Sequence, residues 1–394
     1  MVYASRTEKL RGEGAYQVLA RAQALEASGK DIVHLEIGEP DFDTPESVSE
    51  AGIEAIRSGQ TRYNPPAGLS ALRERIAEEA GRRRGLSFRP QQVVVTPGAK
   101  PNLFFPTLAL INPGDEVIYP DPGFPTYSAM ITVAGGIPVP VPLLEENSFS
   151  FDLPAFDRVI SKRTRLIIIN SPGNPTGGVM PADDLRHVAE AAVRRDCWVL
   201  SDEIYAQIVF DGKKAASIAS VPGMMDRTVI VDGFSKTYAM TGWRLGFGIM
   251  PETLAERVGL LLTHSVGCTA HFTQIAGLQA LSGPQDSVRA MVSEYQQRRD
   301  LLVAGLNRLP GVSCQLPQGA FYAFPNIRRT GLSSGELADR MLDGGVALLP
   351  GSAFGQYGEG YLRLAYANSL ENIKLALQRM EAVLNDQQAQ GRGS

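Results

Sequence analysis

The sequence predicts an α/β protein. A large, mostly parallel seven-stranded sheet lies between helices, and a smaller α+β unit accompanies it. Three observations carry this expectation. Short β-branched runs recur at QVVVTPG, DEVIYPDPG, IPVPVPL, RLIIINSPG, WVLSDE, TVIVDG and RLGFGI. Several of these are continuous apolar runs, as strands buried on both faces require. Helical stretches such as PADDLRHVAEAAVRRD fall between them, which is the rhythm of a mostly parallel sheet.

In chain order, AYQVLARAQALEAS (15–28) has helical composition and an apolar stripe. VHLEIGEPDFDTP turns into a Gly/Pro-rich loop. SVSEAGIEAIRSG and SALRERIAEEAGRRR are two further helices, the second with Ser70 as its N-cap. Arg82, Arg83 and Arg84 are expected to form its solvated end. The strand–helix alternation follows. Beyond residue 285 the texture changes: a long helix, QDSVRAMVSEYQQRRDLLVAGLNRL, leads to separate strands at GAFYAFPNI, VALLPG and YLRLAYA. The polar stretch DQQAQGRGS is expected to fray.

Composition narrows the function classes. Hydrophobic residues make up 44% and charged ones 20% of 394 residues, with a net charge of −4. That is an ordinary globular balance, and it carries no basic footprint for nucleic acid. Three well-separated cysteines give neither a zinc spacing nor a disulfide framework, so no metal site is expected. No apolar run reaches membrane-spanning length and MVYASRTEKLRGEG has no apolar h-region, so a cytoplasmic location is expected.

Polar residues crowd four strand ends: TPGAK (96–100), NSPGNPTG (170–177), SDE (201–203) and DGFSKT (232–237). Open α/β sheets bind ligands beyond the carboxyl ends of their strands, so these ends imply one shared site. Lys236 is its most informative residue. It precedes Thr237, but Ser235 stands where a P-loop requires glycine, which argues against nucleotide binding. A lysine buried at a strand end is instead a candidate Schiff-base residue, because burial and nearby cations free its amine.

Pyridoxal phosphate (PLP) uses such a lysine, and the other groups it needs have candidates here. Asp202 can pair with the pyridine nitrogen. Tyr205 can reach the same ligand only if the chain turns after Asp202. Gly98, Ala99 and Lys100 precede a predicted helix start, whose N–H groups suit a phosphate. Ser235 adds a hydroxyl and Arg244 a planar fork. Asn174 can donate to the ring oxygen, and Phe124 can stack on the ring. Arg363, alternating with Leu362 and Leu364, can grip a substrate carboxylate.

Six motifs in order resemble the class I and II aminotransferases, PLP enzymes of fold type I. They are GEPDFDTP (38–45), RYNPPAG (62–68), NSPGNPTGG (170–178), SDEIY (201–205), SKTYAMTGWRLG (235–246) and YLRL (361–364). The resemblance spans residues 30 to 370. It implies that Lys236 bonds the cofactor aldehyde and moves the proton between the substrate α-carbon and the cofactor. It implies that Asp202 holds the pyridinium, that Tyr205 and Asn174 bind the ring oxygen, and that Ala99, Lys100, Ser235 and Arg244 bind the phosphate. Arg363 and the Gly38 backbone are implied to take the substrate carboxylate. Phe124 stands where the family often has Trp or Tyr.

The resemblance also implies a homodimer with shared sites, Tyr63 reaching the neighbouring subunit's phosphate. The small domain is implied to be built from both termini: residues 1–44 and 286–394 against a large domain of 45–285. The expected reaction moves an amino group from an L-amino acid to a 2-oxo acid. A PLP-dependent lyase is the alternative, and a non-catalytic PLP-binding regulator a remote one. The stretch HSVGCTAH (264–271) has only His264 and His271 as possible second cations, which favours a neutral or aromatic amino donor.

Overall fold

The computed structural model describes residues 3–391 apart from Lys9 and Arg11. Its large sheet contains all seven expected strands. In chain order they and one addition are β1 (Val93–Thr96), β2 (Glu116–Asp121), β3 (Ile137–Leu144), β4 (Ser150–Phe151), β5 (Thr164–Asn170), β6 (Trp198–Asp202), β7 (Thr228–Gly233) and β8 (Gly246–Ile249). The addition is β4, whose two residues are too few to show a period. Spatial order is β1-β8-β7-β6-β5-β2-β3-β4. The pairs β3–β2, β2–β5, β5–β6 and β6–β7 are parallel, whereas β8 runs antiparallel to both β7 and β1.

Both faces of this sheet are covered, and β5 shows how. Leu166 and Ile168 enter one core with Val94, Leu200, Val229 and Val231. Ile167 and Ile169 enter the other, against Leu185, Val188 and Ala192 of the helix Ala182–Arg195. Each such side chain contributes about 1.5–3 kcal/mol when fully buried, so the IIIN run is held from both sides. The helix Ala182–Arg195 carries Asp183 and Asp184 in its first turn and Arg194 and Arg195 in its last, which complements its dipole.

Two expectations at the helix Ser70–Arg84 are corrected. Its N-cap is Leu69, and the Ser70 hydroxyl instead donates to Glu74 at 2.8 Å. Leu69 is the residue with extended backbone before the first turn, so Ser70 is already helical and its hydroxyl turns to a carboxylate one turn on. Its C-terminal arginines are not a solvated end. Only Arg82 is, at 70% exposure, while the Arg84 side chain is 5% exposed. Buried carboxylates far along the chain draw it inward.

The smaller layer holds an antiparallel trio, Tyr322–Ala323, Leu362–Ala365 and Leu349–Pro350. Val33–His34 pairs in parallel with Val346–Ala347, tying the start of the chain to its end. The helix Leu370–Gly391 continues through part of the stretch expected to fray, and residues 392–394 lie outside the described residues.

Candidate active site

The carboxyl ends of β5, β6 and β7 open into a cavity of about 480 Å³. Gly38, Ala99, Lys100, Phe124, Asn174, Asp202, Tyr205, Ser235, Lys236, Arg244 and Arg363 all line it. These residues span more than 300 positions of sequence and meet because the strands carrying them are neighbours. β6 ends at Asp202 and the chain turns at once, with the Ala206 N–H donating to the Glu203 carbonyl at 2.8 Å. The turn brings Asp202 and Tyr205 to one cavity, which a continuing strand would prevent.

Lys236 follows β7. Its Nζ donates to the Gly38 carbonyl at 2.6 Å and lies 5.7 Å from the centre of the Phe321 ring. Burial is the main cause that brings its pKa down to about 8; Arg363, Arg244 and Lys100 add repulsion, against an opposing pull from Glu39. An amine of this kind is neutral in a usable fraction at physiological pH.

Asp202 is 5% exposed. Its Oδ2 accepts from the Tyr127 hydroxyl at 2.7 Å and its Oδ1 from the Ile204 N–H at 3.2 Å. Burial pushes its pKa up to about 6, partly offset by those two donors. A cationic ring N–H is the partner that such a carboxylate lacks.

The helix Lys100–Leu110 begins where the sequence predicts, with Ala99 as its N-cap. Gly98 has φ +85°, and a Cβ there would sit 2.2 Å from Arg244 Nη2. Only glycine lets the guanidinium approach this turn. Arg244 donates through Nη1 to the Thr241 carbonyl at 2.8 Å, and Ser235 is buried beside Lys236. Backbone N–H groups, a hydroxyl and a guanidinium therefore face one end of the cavity, the donor set of an anion cradle.

Arg363 is buried at 4% exposure. It donates to the Glu36 carbonyl and, through Nη1, to Asn174 Oδ1 at 3.4 Å, and its guanidinium stacks 4.7 Å from the Tyr322 ring centre. Its Nε has no partner among the described residues. A buried fork with an unused donor suits a carboxylate from outside.

Tyr63 does not enter the cavity; its side chain is 98% exposed. Lys100 differs from expectation in its partner: its Nζ pairs with Glu13 and lies 5.1 Å from the Phe124 ring centre. His264 and His271 do not line the cavity, so Lys100 is the additional cation there. Sequence reasoning also missed Tyr127, Tyr322, Glu13 and Tyr16. Tyr322 meets the Tyr205 hydroxyl at 2.8 Å, and a Cβ on Gly38 would sit 2.1 Å from the Tyr322 oxygen. Tyr127 carried a usable signal, lying three residues after Phe124 at a helix start.

Comparison with known proteins agrees with this geometry. The family model for aminotransferase class I and II matches residues 30–380. An aromatic-amino-acid aminotransferase 2 of Thermococcus litoralis is 40% identical over 98% of this chain and 99% of its own. An aspartate aminotransferase of Pyrococcus abyssi is 42% identical over 92% and 94%. The structure of an aspartate aminotransferase from Thermus thermophilus with maleate superposes with a TM-score of 0.92, at 38% identity, covering 97% of this chain and 100% of that one. With the lysine, the buried aspartate and the buried arginine around one cavity, the chain belongs to the class I and II aminotransferases and is a transaminase.

Proposed function

We propose that this transaminase works with PLP in the cavity around Lys236, passing an amino group from an L-amino acid to a 2-oxo acid in two half-reactions. The observation that carries the reading is the convergence on one cavity of a lysine of lowered pKa, a buried aspartate short of a cationic partner, and an anion cradle. The residues present fit the cofactor. Lys236 would bond its aldehyde, Asp202 its ring nitrogen, and Asn174 and Tyr205 its ring oxygen. Gly98, Ala99, Lys100, Ser235 and Arg244 would surround its phosphate, and Phe124 would cover its ring. When bound, the cofactor supplies an electron sink for the pair left on the substrate α-carbon after its proton departs.

The chain's own groups do the rest. Lys236 Nζ would act as the base that takes the substrate α-proton and the acid that returns it. Asp202, fixed by Tyr127 and the Ile204 N–H, holds a proton on the ring nitrogen. Arg363, held by Asn174 and the Glu36 carbonyl, would grip the substrate carboxylate, with the Gly38 backbone beside it. Tyr205 and Tyr322 share a hydrogen bond that fixes the phenol facing the ring oxygen.

The proposed amino donor is neutral or aromatic. Glu13 adds a negative charge to the lining and pairs with Lys100, which disfavours a second substrate carboxylate, and Tyr16 and Ile37 give the cavity apolar walls. The proposed assembly is a homodimer in the cytoplasm, with Tyr63 completing the neighbour's phosphate site; its 98% exposure supports this. The proposed domains are 45–285 and, joined through the Val33–Val346 pairing, 1–44 with 286–394.

The test is the visible spectrum of purified protein supplied with PLP. Each L-amino acid is added singly, then a 2-oxo acid. Bleaching of the yellow band and its return support the reading, and the fastest donor names the substrate class. Product release without bleaching points to a lyase, and no band at all removes Lys236 from its role.

A further inference from the structure

Three carboxylates lie side by side at the ends of β6 and β7: Asp202, Glu203 and Asp232, at 5%, 3% and 2% exposure. Asp202 is in register with Val231, which places Asp232 one residue beyond on the adjacent strand. Three buried anions this close oppose one another's ionisation. Yet only Asp202 faces the cavity. The other two turn toward the end of the helix Ser70–Arg84.

Arg84 answers both of them. Its Nε donates to Glu203 Oε2 at 2.9 Å, and its Nη2 donates to Asp232 Oδ2 at 3.3 Å. Its Nη1 donates to the Ala80 carbonyl of its own helix at 3.4 Å. Arg83 Nη2 reaches the same Asp232 oxygen at 3.4 Å, and Arg83 Nε is 3.7 Å from Glu79. Ser201 and Ser217 donate to Glu203 Oε1 at 2.9 and 2.5 Å, and the Gly233 N–H donates to Asp232 Oδ1 at 2.7 Å. The Tyr238 hydroxyl donates to Gln285 at 3.1 Å, and burial pushes its pKa up to about 12, so it is neutral near this cluster. Glu203 and Asp232 are thus matched by two guanidiniums, and no spare positive charge reaches Asp202 from this side.

A buried ion pair is a poor stabiliser compared with apolar side chains of the same volume. The network therefore needs another reason, and its position directly behind Asp202 supplies one. We propose that Arg84, with Glu203 and Asp232, is a positioning group that sets the charge of Asp202 and through it the hold on the cofactor's ring nitrogen. This rests on the reading of Asp202 given above. Cancelling the two rear anions lets Asp202 ionise when the ring cation arrives. Losing Arg84 leaves uncompensated negative charge behind it, and Asp202 keeps its proton to higher pH. Losing Glu203 instead leaves an excess of positive charge, and Asp202 ionises at lower pH.

The test measures the PLP dissociation constant of the full chain from pH 5 to 8.5, by equilibrium dialysis or fluorescence, for wild type, Arg84→Gln, Glu203→Gln and the double variant. Titration of the free cofactor is common to all four, so differences between them belong to the protein. The pH at which binding tightens is expected to rise by about one unit in Arg84→Gln, roughly tenfold weaker binding on the acid side. It is expected to fall in Glu203→Gln and to return close to wild type in the double variant. Should Arg84→Gln fail to fold, Asp232→Asn joins Glu203→Gln, and both must move the midpoint down. A purely structural network would lower thermal stability and leave the midpoint in place, which would overturn the proposal. Asp202→Asn separates the two readings. If it removes the acid limb while the rear variants do not move it, only the present proposal fails; if it leaves the limb intact, the assignment of Asp202 fails.

Discussion

Lys236 and Arg84 are both buried cations near the end of β7, yet their surroundings differ in kind. Lys236 has a backbone carbonyl and ring faces for company, with three further cations near it. Arg84 has two carboxylates. Burial penalises charge on both. Around Lys236 nothing sufficient opposes it and the pKa falls to about 8, whereas Glu203 and Asp232 more than cancel it for Arg84, whose pKa rises. Partners, more than depth, separate a reactive amine from an inert guanidinium.

That contrast can be broken in several ways, and the largest effect is on turnover. Lys236→Met is expected to lower kcat by at least about 10³-fold, because Lys100, the other amine lining the cavity, is paired with Glu13. Single-turnover measurement with PLP-loaded protein checks it. Next is stability. Arg84→Met leaves two buried carboxylates without their main partner and is expected to cost about 3–5 kcal/mol in urea unfolding. The same substitution at Lys236 should act in the opposite direction, stabilising the cofactor-free protein by about 1 kcal/mol, since a reactive site trades stability for function. Equal losses at both sites would erase the contrast.

Acid titration sharpens it further. In the cofactor-free protein Asp202 keeps its proton up to about pH 6, against a reference of 3.8 for an unburied aspartate. Between those values the folded state binds more protons than the unfolded one, so this group's contribution to stability declines as pH rises through the window. Asp202→Asn is expected to flatten that slope in urea midpoints taken from pH 4 to 7. The smallest effect concerns Glu13. Its pair with Lys100 is partly exposed, and such pairs are worth up to about 1 kcal/mol, or roughly fivefold. Glu13→Gln should raise kcat/KM for dicarboxylic donors relative to aromatic ones by no more than that factor.

Much of the site was legible because its residues sit at strand ends, where apolar runs stop abruptly at polar ones. Lys236, Asp202 and Asn174 stand out against such backgrounds. The large sheet was legible for the same reason, apart from β4, which is too short to carry a pattern. What stayed hidden are partnerships across long separations. Arg84 stands 119 positions from Glu203 and 148 from Asp232. On its own helix it follows two other arginines and looks like a charged terminus meant for water. Tyr127 stood at a legible helix start, but its hydrogen bond to Asp202, across 75 positions, did not show. Glu13 and Tyr16 lie at the start of a helix whose apolar stripe says nothing of the cavity it borders.

The pairing of Val33 with Val346 has a consequence for synthesis. The strand beside Glu36 and Gly38 leaves the ribosome before nearly all of the sheet, but its partner follows about 310 residues later. At roughly 5–20 residues per second that delay is on the order of 15–60 s. During it, the segment that offers its Glu36 carbonyl to Arg363 lacks the strand it pairs with. The Gly38 carbonyl that meets Lys236 Nζ is therefore synthesised early but secured late. The lysine's surroundings in the finished cavity form only once the end of the chain has emerged.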